Sequence, residues 1–167
     1  MQPLRDAVFD ELRTIDDPEM PISIVDLGIV EDVAIDGSDV TVTILPTFVG
    51  CPALDMIRSD IESHLSALGG VDRVNVRFVH DPAWTPARIS EQGRARLREH
   101  GVTTTPHSLG NAAAAIELRT SAIACPFCAS NNTRLDSPFG PTRCRAIYYC
   151  DGCRNSFEHI KHLPNAV

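Results

Sequence analysis

The chain has 167 residues, of which 43% are hydrophobic and 22% charged, a composition near the globular average that excludes wholesale disorder. Its length accommodates one ordinary domain plus a small module, or two small domains. A formal net charge of -7 disfavours nonspecific attachment to nucleic acid or to an anionic membrane.

Residues 2–14 are expected to form a short amphipathic helix, because Leu4, Val8 and Leu12 fall four apart on one face. Pro18 disfavours helix at the residue before it, so the helix stops ahead of Asp16-Asp17-Pro18-Glu19, and Met20 to Gly28 read as an ordered loop. Val30–Ile35 and Val40–Leu45 are the first two strands. The second alternates Val40, Val42 and Ile44 with Thr41 and Thr43, and Asp36-Gly37-Ser38-Asp39 makes the pair a hairpin. Residues 52–68 carry the strongest helical stripe, Leu54, Ile57, Ile61, Leu65 and Leu68, with Pro52 expected at the first helical position and Gly69-Gly70 at the end. A third strand is expected from Val71 to about Val79. The order α-β-β-α-β defines a small α+β domain.

Asp81 to Pro86 form a rigid loop, and Ser90 is placed to cap a polar helix reaching about His100. The first domain is therefore expected over residues 1–100, with this helix as a C-terminal addition. Residues 101–121, with four threonines, Pro106, Gly110 and Ala112 to Ala115, lose periodicity and read as a linker, partly helical at the alanines. Charge divides along the same line. Residues 1–100 hold 9 Arg, no Lys and 18 acidic residues, a net of -9, which leaves +2 for residues 101–167. The N-terminus has no signal-peptide pattern, and no apolar run approaches the roughly 20 residues of a membrane span. The expected location is the cytoplasm, where cysteines are thiols or metal ligands more often than disulfides.

Residues 122–167 are expected to fold around metal. Cys125-Pro126-Phe127-Cys128 and Cys150-Asp151-Gly152-Cys153 are two C-x₂-C knuckles, and together they supply the four thiolates of a tetrahedral site. A segment this short cannot bury a sufficient core alone, so a structural ion accounts for its folding. Ala146 to Tyr149 form a strand leading into the second knuckle, the layout of a zinc ribbon. Spacing does not separate Zn²⁺ from an iron–sulfur cluster, since four thiolates serve both, but the folding argument favours zinc. Cys144 is either a plain thiol near the ribbon or an additional ligand. His159 and His162 are expected at the surface.

Cys51, in Thr47-Phe48-Val49-Gly50-Cys51-Pro52, immediately precedes the 52–68 helix, whose free amides and dipole favour a thiolate. It suits a nucleophile, a redox sensor or a ligand for a transferred metal, and it also suits a small residue packed at a helix start.

Taken together, Asp17-Pro18-Glu19, then Ile24-Val25-Asp26-Leu27-Gly28-Ile29-Val30, then Thr47 through Gly50-Cys51-Pro52-Ala53 resemble the iron–sulfur cluster assembly domain of SufT-type factors, over roughly residues 3–80. Pro82-Ala83-Trp84-Thr85, Ile89-Ser90, Gly93-Arg94, Leu97 to Val102, Phe139-Gly140 and Cys144 extend the likeness to the PaaD family, encoded with bacterial phenylacetyl-CoA monooxygenases. The resemblance implies an accessory subunit, not an enzyme, that helps to mature the metal centres of the oxygenase system, above all the iron–sulfur flavin reductase. It implies Cys51 as a transient holder of iron or a cluster in a pocket shaped by Asp26 and Thr47, with Cys125, Cys128, Cys150 and Cys153 on structural zinc. The alternative is a ribbon subunit that bridges oxygenase components without metal transfer. Neither nucleic acid nor membrane is an expected partner, and a homodimer is left open.

Overall fold

The computed structural model describes residues 2–48, 50–104 and 123–161, with side chains from Leu4 onward. The elements are α1 (Gln2–Leu12), β1 (Val30–Asp36), β2 (Asp39–Ile44), α2 (Leu54–Ser66), β3 (Arg73–Phe78), α3 (Glu91–Glu99), β4 (Val102–Thr104), β5 (Thr133–Ser137), β6 (Arg145–Cys150) and β7 (Ser156–Ile160). They fall into two compact units, Met1–Trp84 with Arg88–Gly93, and Thr85–Ala87 with Arg94–Val167.

In the first unit β1, β2 and β3 form one sheet, β1 antiparallel and β3 parallel to β2. A parallel neighbour needs a crossover, and α2 supplies it. The strict alternation of β2 buries Val40, Val42 and Ile44, while α2 buries Ile57, Ile61 and Leu65 as the stripe requires. Val8 and Leu12 complete this core from α1, and Glu11 Oε1 meets His64 Nδ1 at 2.7 Å to join the two helices.

The Met20–Gly28 segment is an ordered loop with a core of its own. Asp17 Oδ1 accepts the amides of Glu19 and Met20 at 2.8 and 2.9 Å, and Ile22, Ile24 and Leu27 are buried. Trp84 closes over it, its indole Nε1–H donating to the Leu27 carbonyl at 3.0 Å. Trp84→Phe keeps the apolar ring but orphans that carbonyl. We expect a loss of about 1–2 kcal/mol, read from urea midpoints at unchanged slope.

The second unit holds a sheet in the order β4-β7-β6-β5, with β4 parallel to β7 and the remaining pairs antiparallel. Here the structure departs from the sequence reading. Residues 102–104, read as the start of a linker, are a strand whose Val102, Thr103 and Thr104 pair with Glu158, His159 and Ile160. The rest of the linker, with its alanines, lies outside the described residues, as does His162. Pro52 also falls outside α2: the helix begins at Leu54 with Ala53 at its N-cap.

His159 is half-buried rather than fully exposed. Its Nδ1 lies 2.9 Å from Thr103 Oγ1 and its ring meets the edge of Tyr148. Burial lowers its pKa from 6.5 to about 4, because the protonated ring would lose its hydration. The folded unit therefore keeps the neutral imidazole, while the unfolded chain takes up a proton near pH 6.5. The stability this group contributes is complete above that pH and is lost as pH falls through 6.5 toward about 4. His159→Gln should accordingly flatten the fall of the thermal midpoint across that window at fixed metal occupancy.

Candidate metal centre and the Cys51 turn

The two knuckles are built alike. In the first, the Ala129 amide donates to Cys125 O at 2.9 Å, and in the second the Arg154 amide donates to Cys150 O at 2.8 Å. Each turn closes on a residue in the left-handed region, Ala129 at φ 59° and Arg154 at φ 61°. Asp151 N to Asn132 O at 3.0 Å ties the second knuckle to the segment after the first.

The result is convergence of four sulfurs. Cys125 Sγ and Cys153 Sγ are 3.6 Å apart, as are Cys128 Sγ and Cys150 Sγ, and all four lie within 4.8 Å of one another. A tetrahedral ion with metal–sulfur bonds of about 2.3 Å needs sulfurs roughly 3.8 Å apart, so the set fits a single ion. A multi-iron cluster distributes its cysteines over several irons and would hold them farther apart. Cys150 and Cys125 are buried against Phe157, with Ile123 and Tyr148 packed beside them, while Cys128 faces solvent. Four protein ligands leave no open coordination position, which is the condition of a structural centre.

The metal-free thiols are unequal. Asn155, through its side chain and its amide, lowers Cys153 to about 6. The Ser130 amide pulls Cys128 down, but desolvation and the neighbouring thiols outweigh it and push the group up to about 12. Bound metal must displace these protons, so affinity falls as pH falls. Between pH 7.5 and 5.5 we expect metal release to a chromophoric chelator to accelerate at least tenfold.

Cys144 lies outside this group. It is buried, with Thr142 Oγ1 at 3.0 Å from its sulfur, and its carbonyl accepts the Lys161 amide.

Cys51 is half-buried in the turn ahead of α2, between the exposed Gly50 at φ 80° and Pro52. The Leu54 amide donates to its carbonyl at 3.4 Å, so the turn runs straight into the helix, whose first amides lack intrahelical acceptors. Thr47 is half-buried in the connection leaving β2. Asp26 has its carboxylate engaged by hydroxyls: Ser90 Oγ donates to Oδ1 at 2.6 Å and Ser23 Oγ to Oδ2 at 3.1 Å. Ser90 also accepts the Gly93 amide at 2.9 Å, as the N-cap of α3 should. Asp26 thereby pins the loop to the start of α3. The cap was legible from sequence; its carboxylate partner, 64 positions away, was not. Among the described residues no second group of three or more His, Cys, Asp or Glu gathers as the ribbon thiols do.

Comparison with known proteins agrees with this division. Residues 5–78 match the family model of an iron–sulfur cluster assembly protein, and residues 111–161 match that of the PaaD zinc beta ribbon domain. A protein of Escherichia coli (strain K12), named as one of the subunits of a "Putative 1,2-phenylacetyl-CoA epoxidase", is 38% identical over 151 residues, covering 90% of this chain and 88% of that protein. An Fe-S protein maturation auxiliary factor of Porphyromonas gingivalis is 38% identical over 88 residues, 52% of this chain and 83% of its own. The crystal structure of a domain of unknown function, DUF59, from Bacillus anthracis superimposes with a TM-score of 0.54 at 30% identity, over 56% of this chain and 91% of that one. Among the described residues no helix is long and apolar enough to cross a membrane.

Proposed function

The chain belongs to the PaaD family, and from that premise we propose that it is a non-catalytic accessory subunit of a phenylacetyl-CoA epoxidase system that helps to assemble or maintain a metal centre. The observation that carries the reading is the separation of thiols. The sulfurs of Cys125, Cys128, Cys150 and Cys153 converge closely enough to hold one ion among themselves, while Cys51 lies before α2, inside the region similar to iron–sulfur assembly proteins.

In this reading the ribbon thiolates hold Zn²⁺ permanently, and the ion supplies the cross-link that orders the unit. Cys51 binds iron or a cluster as cargo, with Thr47 on the connection leading to it and Asp26 shaping the pocket from the Met20–Gly28 loop. The cargo is held transiently and passes to a client, the iron–sulfur flavin reductase in the first instance. A second reading, a ribbon subunit that bridges epoxidase components without transfer, draws support from the ribbon family match and its four converging thiols.

The test is metal and acid-labile sulfide content after anaerobic purification, on wild type and Cys51→Ser, followed by incubation with the metal-free reductase. One zinc in both proteins, with iron and sulfide delivered by wild type alone, is the expected result. Equal delivery by Cys51→Ser would remove Cys51 from the mechanism, and zinc-free protein carrying iron on the ribbon cysteines would overturn the zinc assignment.

A further inference from the structure

Three large apolar side chains are exposed among the described residues: Met56, Phe127 and Phe139. Phe127 has a local role, since its ring packs on the backbone of Gly101, where an added Cβ would come within 2.8 Å of Cζ. Phe139, the most exposed at 71%, has no such seat. It stands in the connection between β5 and β6, and that connection is tightly built. Ser137 Oγ donates to Phe139 O at 2.8 Å, the Gly140 amide donates to Arg145 O at 2.9 Å, and Arg145 Nε donates to Thr142 Oγ1 at 2.9 Å.

Two cations accompany the ring. Lys161 Nζ donates to Pro138 O at 2.8 Å and sits 5.2 Å from the Phe139 centroid, and Arg143 is exposed on the same connection. Neither has a carboxylate partner among the described residues. Burial lowers the Lys161 pKa, with the neighbouring Cys144 opposing the shift, so its ammonium is partly stripped of water. Arg134 and Arg145 differ in this respect: Arg134 meets Asp136 and Asp151, and Arg145 meets Glu158.

We propose that the β5–β6 connection is a docking tip, in which Phe139 enters an apolar pocket on a partner protein and Lys161 and Arg143 meet carboxylates at its rim. A rigid aromatic anchor flanked by cations is the composition of an interface centre, and a connection already held by hydrogen bonds loses little entropy on binding. The complementary surface is therefore acidic around an apolar slot. With only two flanking cations on a chain of net charge -7, a polyanion such as RNA is the poorer fit. This inference rests on the reading above that the partner is an epoxidase component.

The experiment is calorimetric titration of the zinc-loaded chain into each purified epoxidase component at two salt concentrations. Phe139→Ser, Lys161→Glu and the exposed-site control Met56→Ser are compared with wild type, each checked for one bound zinc and for self-association by light scattering. Wild type should bind one component. Phe139→Ser should weaken that binding about 30-fold, Lys161→Glu about tenfold with a shallower salt dependence, and Met56→Ser less than about twofold. Wild-type binding that survives both ribbon substitutions overturns the docking tip and leaves the accessory role standing. Failure of wild type to bind any component overturns both. Self-association that disappears in Phe139→Ser would make a second copy the occupant and overturn the assignment of an epoxidase partner.

Discussion

Cys150→Ser should abolish zinc binding and unfold the ribbon, whereas Cys144→Ser should leave one zinc in place. Cys150 is fully buried and belongs to the four-sulfur set, while Cys144, equally buried, does not. A serine oxygen is a poor ligand for an ion that is otherwise held by soft thiolates, and three remaining sulfurs leave a position open to water. Structural zinc in small domains contributes apparent binding free energies of about 10–16 kcal/mol at pH 7, nearly all of it folding free energy. The apolar contacts around Phe157, Tyr148 and Ile123 are too few to replace that amount. The expected observations are zinc near zero by atomic emission, loss of the near-ultraviolet signal of Tyr148 and Tyr149, and rapid proteolysis within residues 123–161. Excess chelator on wild type should reproduce them. A Cys150→Ser protein that kept its zinc, or a Cys144→Ser protein that lost it, would show that the ligand set is wrong.

Gly28→Ala should cost about 3 kcal/mol or more. Gly28 has φ 73°, which by itself penalises an L side chain by about 1–2 kcal/mol. Its surroundings add the larger part. An ideal Cβ there would lie 2.4 Å from the Arg88 carbonyl oxygen and 2.7 Å from its carbon, and backbone cannot swing away as a side-chain tip can. Relief requires the Arg88 turn to retreat, which breaks the Arg88 Nε bond to Gly28 O at 2.9 Å and the Arg88 contact with Glu31. Gly37→Ala is the control. It has φ 61° but nothing within 4 Å, so only the conformational penalty of about 1 kcal/mol applies. Urea unfolding of both zinc-loaded variants would separate the effects. Equal losses would show that close approach at Gly28 is unimportant.

Much of the first unit was legible because its signals are local. The stripe from Leu54 to Leu65 and the alternation from Val40 to Ile44 record, residue by residue, which side faces the core, and Asp36 to Asp39 carry turn chemistry on their own. The Pro52 assignment erred by two positions because proline suits a preceding turn as well as a first helical turn; Ala53, without a capping side chain, shows which was taken. In the second unit β5 was missed. Thr133 to Ser137 is polar and short, and no residue in it is fully buried. β4 was read as linker because three residues are too few to establish a period, and its partner β7 lies more than fifty positions away.

By itself, the sequence determined that four knuckle cysteines have the spacing of a ligand set, that a helix follows Cys51, and that an α+β domain precedes a ribbon. Each of these depends on spacing along the chain or on periodicity, which are properties of neighbours. Only the tertiary structure decided that the four sulfurs stand at single-ion separations, that Cys144 is excluded from them, and that the Asp26 carboxylate is taken by Ser23 and Ser90. It also decided that His159 is held neutral between Thr103 and Tyr148. These outcomes depend on distances between groups remote in the chain, and such distances exist only after the strands have paired and expelled water from between them.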